Sequence, residues 1–225
     1  MSKKRIKKRL SSSRIILLGF LGVILCGAMF LMLPFATADG RGASFLDALF
    51  VATSATCVTG LVTQDTATYW SVFGKAVILV LIQIGGLGVI TIAVSVARFS
   101  GRKIGLMQRS TMQESIAAPQ MGGIIRMTGF ILRMVVMPPM IAEFGVVKGI
   151  GYAVFHSISA FCNAGFDLMG VKEPYSSLTS YVGHPLINFV IMLLIVVGGI
   201  GFLTWDDIRC NRFHLRRYRM QSKVI

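Results

Sequence analysis

Ala48-Leu49-Phe50-Val51-Ala52-Thr53-Ser54-Ala55-Thr56-Cys57-Val58-Thr59-Gly60-Leu61 recurs without gaps as Ala153-Val154-Phe155-His156-Ser157-Ile158-Ser159-Ala160-Phe161-Cys162-Asn163-Ala164-Gly165-Phe166, with six positions identical: the Ala, Phe, Ser, Ala, Cys and Gly. Each copy is followed by a charge-free stretch with a second shared element, Gly85-Gly86-Leu87-Gly88 in the first and Gly198-Gly199-Ile200-Gly201 in the second. An internal repeat of this kind fixes an architecture more firmly than any single motif.

Outward from the repeat, the composition excludes a soluble globular domain. Of the 225 residues 54% are hydrophobic and only 14% are charged, against roughly 25% charged in an average soluble domain. Disorder is excluded too, because it requires low hydrophobicity. Residues 15–35, 76–97 and 185–205 hold no charge. Each is long enough, at 1.5 Å per helical residue, to cover about 30 Å of hydrocarbon. A fourth span is expected over 122–142, interrupted by Arg126, Arg133, Pro138 and Pro139. Arg133 falls near its middle, where a charge must face protein or water.

The net charge of +14 sorts by side. Lys and Arg crowd the segment before the first span, residues 98–109 and the segment after the last span, whereas 36–74 and 144–184 hold few. Positive residues stay inside, which places both termini and the segment 98–121 in the cytoplasm. Lipid attraction and topology account for the basic tails, and no nucleic-acid-binding module accompanies them. Ala36-Thr37-Ala38 has the form of a signal-cleavage site, but the preceding apolar run is longer than a signal peptide's.

The apolar segments within the repeat are too short to cross. Ser44 and Asp47 form a capping-box-like start, and a helix over 45–56 would reach only about 18 Å. The chain must return through Val58-Thr59-Gly60-Leu61, and non-helical backbone at membrane depth survives only when buried in protein or lining water. A pore loop meets that demand, with the negative end of the short helix favouring cations. The expected fold is therefore an all-α integral membrane protein with four spans and two re-entrant pore loops. It forms two parallel outer-helix, pore-loop, inner-helix repeats. The expected organisation is a basic cytoplasmic tail (1–14), a first repeat (15–97), a cytoplasmic linker (98–121), a second repeat (122–205) and a basic cytoplasmic tail (206–225). Gly85, Gly86, Gly88, Gly198, Gly199 and Gly201 are read as helix-packing glycines.

Ser54-Ala55-Thr56-Cys57-Val58-Thr59-Gly60-Leu61 with Gln83-Ile84-Gly85-Gly86-Leu87-Gly88, then Phe155 to Asp167, resemble the first two repeats of the Trk/Ktr/HKT superfamily of potassium uptake proteins. With one span before the first pore loop, the chain is most similar to the Ktr-type membrane subunit. The resemblance implies potassium transport across the cell membrane, with K⁺ as the transported ion and Na⁺ as an activator. It implies a filter at Val58, Thr59, Gly60, Leu61, Asn163, Ala164, Gly165 and Phe166, with K⁺ held at these positions only and no cofactor. It further implies membrane lipid as surroundings, a homodimer, and a cytosolic RCK-type nucleotide-binding regulatory subunit. Two of the family's four repeats are covered. The expectations therefore include a truncated, non-conducting fragment or assembly partner, and a pore built from two copies.

No enzyme is expected, because no nucleophile, base and orienter set is visible. Cys26, Cys57, Cys162 and Cys210 lack metal-ligand spacing, and Cys57 and Cys162 are read as buried packing thiols. His156, Cys162 and Asp167 point to different faces.

Overall fold

The computed structural model describes residues 12–87 and 137–200, together with 204, 208, 211 and 222. Gly88, Gly201, Arg133, the segment 98–121, most of both basic tails and most of the expected span 122–142 lie outside the described residues. The described regular structure is helical apart from one isolated bridge: α1 (Ser12–Leu31), α2 (Phe45–Cys57), α3 (Val72–Leu87), α4 (Met137–Phe144), α5 (Val146–Phe161) and α6 (Pro185–Gly199), with short 3₁₀ turns between them.

Local chemistry sets several of these boundaries. α1 stops at Leu31 rather than at residue 35 because Pro34 follows; Leu33 is extended at φ −64°, ψ 143°, the conformation proline imposes on its predecessor. At the start of α2 the Ser44 hydroxyl accepts from Asp47 N at 3.2 Å and donates to Asp47 Oδ2 at 2.7 Å. α3 starts four residues before the charge-free run. There Ser71 Oγ accepts from Gly74 N at 3.2 Å, capping the helix, and donates to Phe35 O at 2.6 Å. Lys75 is accommodated because its ammonium donates to Ala67 O at 2.6 Å. The end of α1 and the start of α3 are clipped together by the Thr37–Trp70 bridge, with Ala38 N donating to Tyr69 O at 2.9 Å.

Two cores result. Ala48, Ala52 and Ala55 of α2, spaced along one helical face, pack with Ala28 and Leu31 of α1 and with Ile78 and Ile82 of α3. Ala164, Phe166 and Leu168 from the far copy join this cluster. The second cluster gathers Met140, Ala153, Met169, Tyr181, Ile187, Val190 and Leu194 around α4, α5 and α6. Outside these cores, Leu17, Leu21 and Met29 of α1 and Phe189, Met192 and Val196 of α6 are exposed. Helices apolar on both faces need apolar surroundings. Among the described residues no helix is long and apolar enough to cross a membrane.

Near the end of α4 the Glu143 carboxylate accepts from the Tyr181 hydroxyl and pairs with Lys172 in the segment between α5 and α6. The Lys172 ammonium also lies 5.0 Å from the Tyr181 ring centroid. Burial opposes the charge on Glu143, but the bonds from Lys172 and Tyr181 outweigh it and hold the carboxyl below its usual range.

Candidate functional site

α2 and α5 end in the same way. Val58 N donates to Ala55 O at 3.3 Å and Thr59 N to Ser54 O at 2.9 Å. In the other copy Asn163 N donates to Ala160 O at 3.0 Å and Ala164 N to Ser159 O at 2.7 Å. These are two Schellman closures, and both put a residue with a Cβ in the left-handed region: Val58 at φ 59° and Asn163 at φ 57°. Asparagine tolerates that region, whereas a β-branched valine there is strained. Strain of this kind persists where surrounding structure over-determines it. Two residues on, Gly60 and Gly165 both have φ 73°, while Thr59 and Ala164 between do not share the positive sign.

The returns also meet each other. A Cβ on Gly60 would lie 2.4 Å from Ala164 O and 3.0 Å from Gly165 Cα, and one on Gly165 would lie 3.5 Å from Gly60 Cα. Thr59, Leu61, Asn163 and Gly165 are exposed, Val58 and Gly60 half-buried, and Ala164 and Phe166 buried. The matched serines secure the returns differently. Ser54 Oγ lies 2.8 Å from Thr59 Oγ1, whereas Ser159 Oγ donates to Phe166 O at 2.6 Å. The Phe166 carbonyl is thus turned toward protein.

The glycine-rich helices lie behind the returns. A Cβ on Gly85 would fall 2.1 Å from Thr56 O, and one on Gly198 would fall 1.8 Å from the matching Phe161 O. Gly86 faces Cys162 Sγ, 2.6 Å from its would-be Cβ, and Gly199 faces Asn163 Nδ2 at 3.6 Å. The two cysteines, both expected to be buried, part company here: Cys162 is half-buried with Gly86 against it, whereas Cys57 is exposed.

The structural role of His156 is not legible in the sequence. The ring is buried, its Nδ1 donates to Tyr152 O at 2.7 Å, and its Nε2 accepts from Leu168 N at 3.2 Å. It ties the outgoing loop to the helix that leads into the return. The available signal was a lone polar ring in an apolar helix, where the first copy has Val51. His156→Phe should strand the buried Leu168 N–H and cost about 1–3 kcal/mol. The effect would be read as a lower melting temperature, with His156→Gln recovering part of it. Equal melting of the Phe variant and the unsubstituted chain would refute this tether.

Chemically the returns offer backbone carbonyl oxygens and hydroxyls. Among the described residues no group of His, Cys, Asp or Glu could hold a metal ion. A cation here would meet neutral oxygen dipoles at the negative ends of two helices.

Comparison with known proteins fits this chemistry. The chain is 39% identical to the potassium/sodium uptake protein NtpJ of Enterococcus hirae, over 99% of this chain and 50% of that protein. It is 39% identical to the Ktr system potassium uptake protein B of Bacillus subtilis, over 96% of this chain and 49% of that protein. The protein of the same name from Vibrio alginolyticus is 37% identical over 91% and 46%. The chain thus spans about half the length of these relatives, which are named as transport proteins and not as enzymes. The model of the family described as a cation transport protein, TrkH, matches residues 20–224, and the chain belongs to that family.

Proposed function

We propose that this chain supplies two pore-loop repeats of a potassium-conducting, Ktr-type uptake system. The observation that carries the reading is the pair of matched returns, each left-handed, glycine-bearing and set at a helix C-terminus, brought into contact at Gly60 and Gly165. In this reading the carbonyls of Val58, Thr59, Gly60, Leu61, Asn163, Ala164 and Gly165 replace water around K⁺, and the helix ends favour positive charge. The Phe166 carbonyl contributes least, because Ser159 already donates to it.

The reading includes four spans in two parallel repeats and cytoplasmic termini. It also includes a homodimer in lipid, an RCK-type cytosolic partner and Na⁺ as activator. A closed ring of carbonyls needs strands beyond these two, from a second copy or from further repeats. A non-conducting assembly partner is the second reading, favoured by the exposure of Thr59 and Asn163, which leaves the returns open to another chain.

The test is growth of a potassium-uptake-deficient bacterium at limiting K⁺, with Na⁺ as competitor. Expression of this chain, alone or with an RCK-type subunit, should restore growth. Failure in both cases, with the chain demonstrably in the membrane, would leave the assembly-partner reading standing instead.

A further inference from the structure

Five residues beyond Gly60 stands Asp65, and five beyond Gly165 stands Gly170. These two positions meet. A Cβ on Gly170 would fall 1.9 Å from Asp65 Oδ1, so the carboxylate occupies the space that the glycine leaves free. Gly170 does not have the positive φ that would make glycine necessary for conformation, so room for the acid is what the site requires.

Asp65 is only 8% exposed, and its carboxylate joins the two loops. Oδ2 accepts from Thr68 N at 2.9 Å and from Thr68 Oγ1 at 2.7 Å, while Oδ1 accepts from Tyr175 N at 3.3 Å. To present that N–H, Tyr175 takes φ 61°, and Ser177 behind it φ 53°. Both carry a Cβ, so this stretch is strained. The Tyr175 hydroxyl reaches back to Thr63 O at 3.5 Å, at the outer limit of hydrogen-bond length. Lys75, bonded to Ala67 O, supplies positive charge that interacts with Asp65 at longer range.

We propose that Asp65 is a positioning residue that locks the outgoing ends of the two returns together, so that the separation of Gly60 and Gly165, and with it the cation preference, is held from five residues away. The positioning role rests on the potassium-conducting reading above; the clasp itself does not. Only a carboxylate serves this geometry. Both of its oxygens accept, whereas the amide of asparagine would turn a donor toward either Thr68 or Tyr175.

Two measurements on the whole chain test the inference. The first is hydrogen exchange of the purified protein over residues 171–178. Asp65→Asn, Asp65→Ala and Gly170→Ala should each speed exchange of the Tyr175 amide on the order of tenfold, as local opening becomes easier. Gly170→Ala added to Asp65→Ala should produce no further change, because the clash partner is gone. Unaltered exchange in Asp65→Asn, or full additivity in the double variant, overturns the clasp.

The second measurement is Rb⁺ uptake with Na⁺ competition. Asp65→Asn should raise sensitivity to Na⁺ several-fold per molecule of protein in the membrane. A purely structural lesion would lower the amount of protein and leave that ratio unchanged, and this result overturns the positioning role. No uptake by the unsubstituted chain would overturn the conducting reading and the positioning role together, while the exchange data still decide the clasp.

Discussion

If the potassium-conducting reading holds, Gly60→Ser and Gly165→Ser should degrade discrimination of K⁺ over Na⁺ on the order of tenfold, because a residue with a Cβ, disfavoured by ~1–2 kcal/mol in the left-handed region, shifts the carbonyls of the return. Membrane insertion should change little, since both positions lie outside the helices. The two sites should not be equal. At position 60 a Cβ would also run into Ala164 O at 2.4 Å, whereas at 165 the nearest atom is Gly60 Cα at 3.5 Å. Gly60→Ala should therefore be the more damaging alanine variant, and Gly165→Ala should carry the conformational cost alone. Growth at limiting K⁺ with graded Na⁺ measures both. Serine variants that grow with unaltered Na⁺ sensitivity would make these glycines incidental to transport.

A second large effect is expected behind the returns. Gly198→Ala places its methyl carbon 1.8 Å from Phe161 O, and Gly85→Ala places one 2.1 Å from Thr56 O. The obstructing atoms are backbone carbonyls, which cannot rotate away as a side-chain tip can. Overpacking of this kind costs typically 1–3 kcal/mol and occasionally more. At roughly 2–4 °C per kcal/mol for a chain of this size, melting should fall by several degrees in each variant. Gly151→Ala is the control, because nothing lies within 4 Å of its would-be Cβ. If Gly198→Ala melts with the control, the close approach of α6 to α5 is not a real constraint.

What could be read from the sequence was what neighbours in the chain decide. The cap at Ser44, the helix expected over 45–56 and observed over Phe45–Cys57, and the shared position of Gly60 and Gly165 all follow from short-range rules. The charge-free run from residue 76 does not show that α3 begins at Val72, because Lys75 is satisfied within the helix by donating to Ala67 O. Cys57 and Cys162 hold equivalent places in the sequence, yet Cys162 faces Gly86 and is half-buried while Cys57 is exposed. The bond from Tyr175 to Asp65 joins residues 110 positions apart, and no periodicity encodes such a pairing. The bond from Leu168 N to His156 depends on where the loop goes after the return, which the helical period of α5 does not encode.

The carbonyls of Thr56 and Phe161 press into α3 and α6 where there is no room for even a methyl group, and this has a mechanical consequence. Each glycine helix is geared to the end of the helix that leads into a return at one tooth, Gly85 on Thr56 and Gly198 on Phe161. A packed contact of this kind does not deform gradually. Lengthwise sliding of α3 or α6 would have to drag the return along or disengage the tooth altogether. Gly85 and Gly198 are therefore the points at which the described stretches of α3 and α6 are held to the returns.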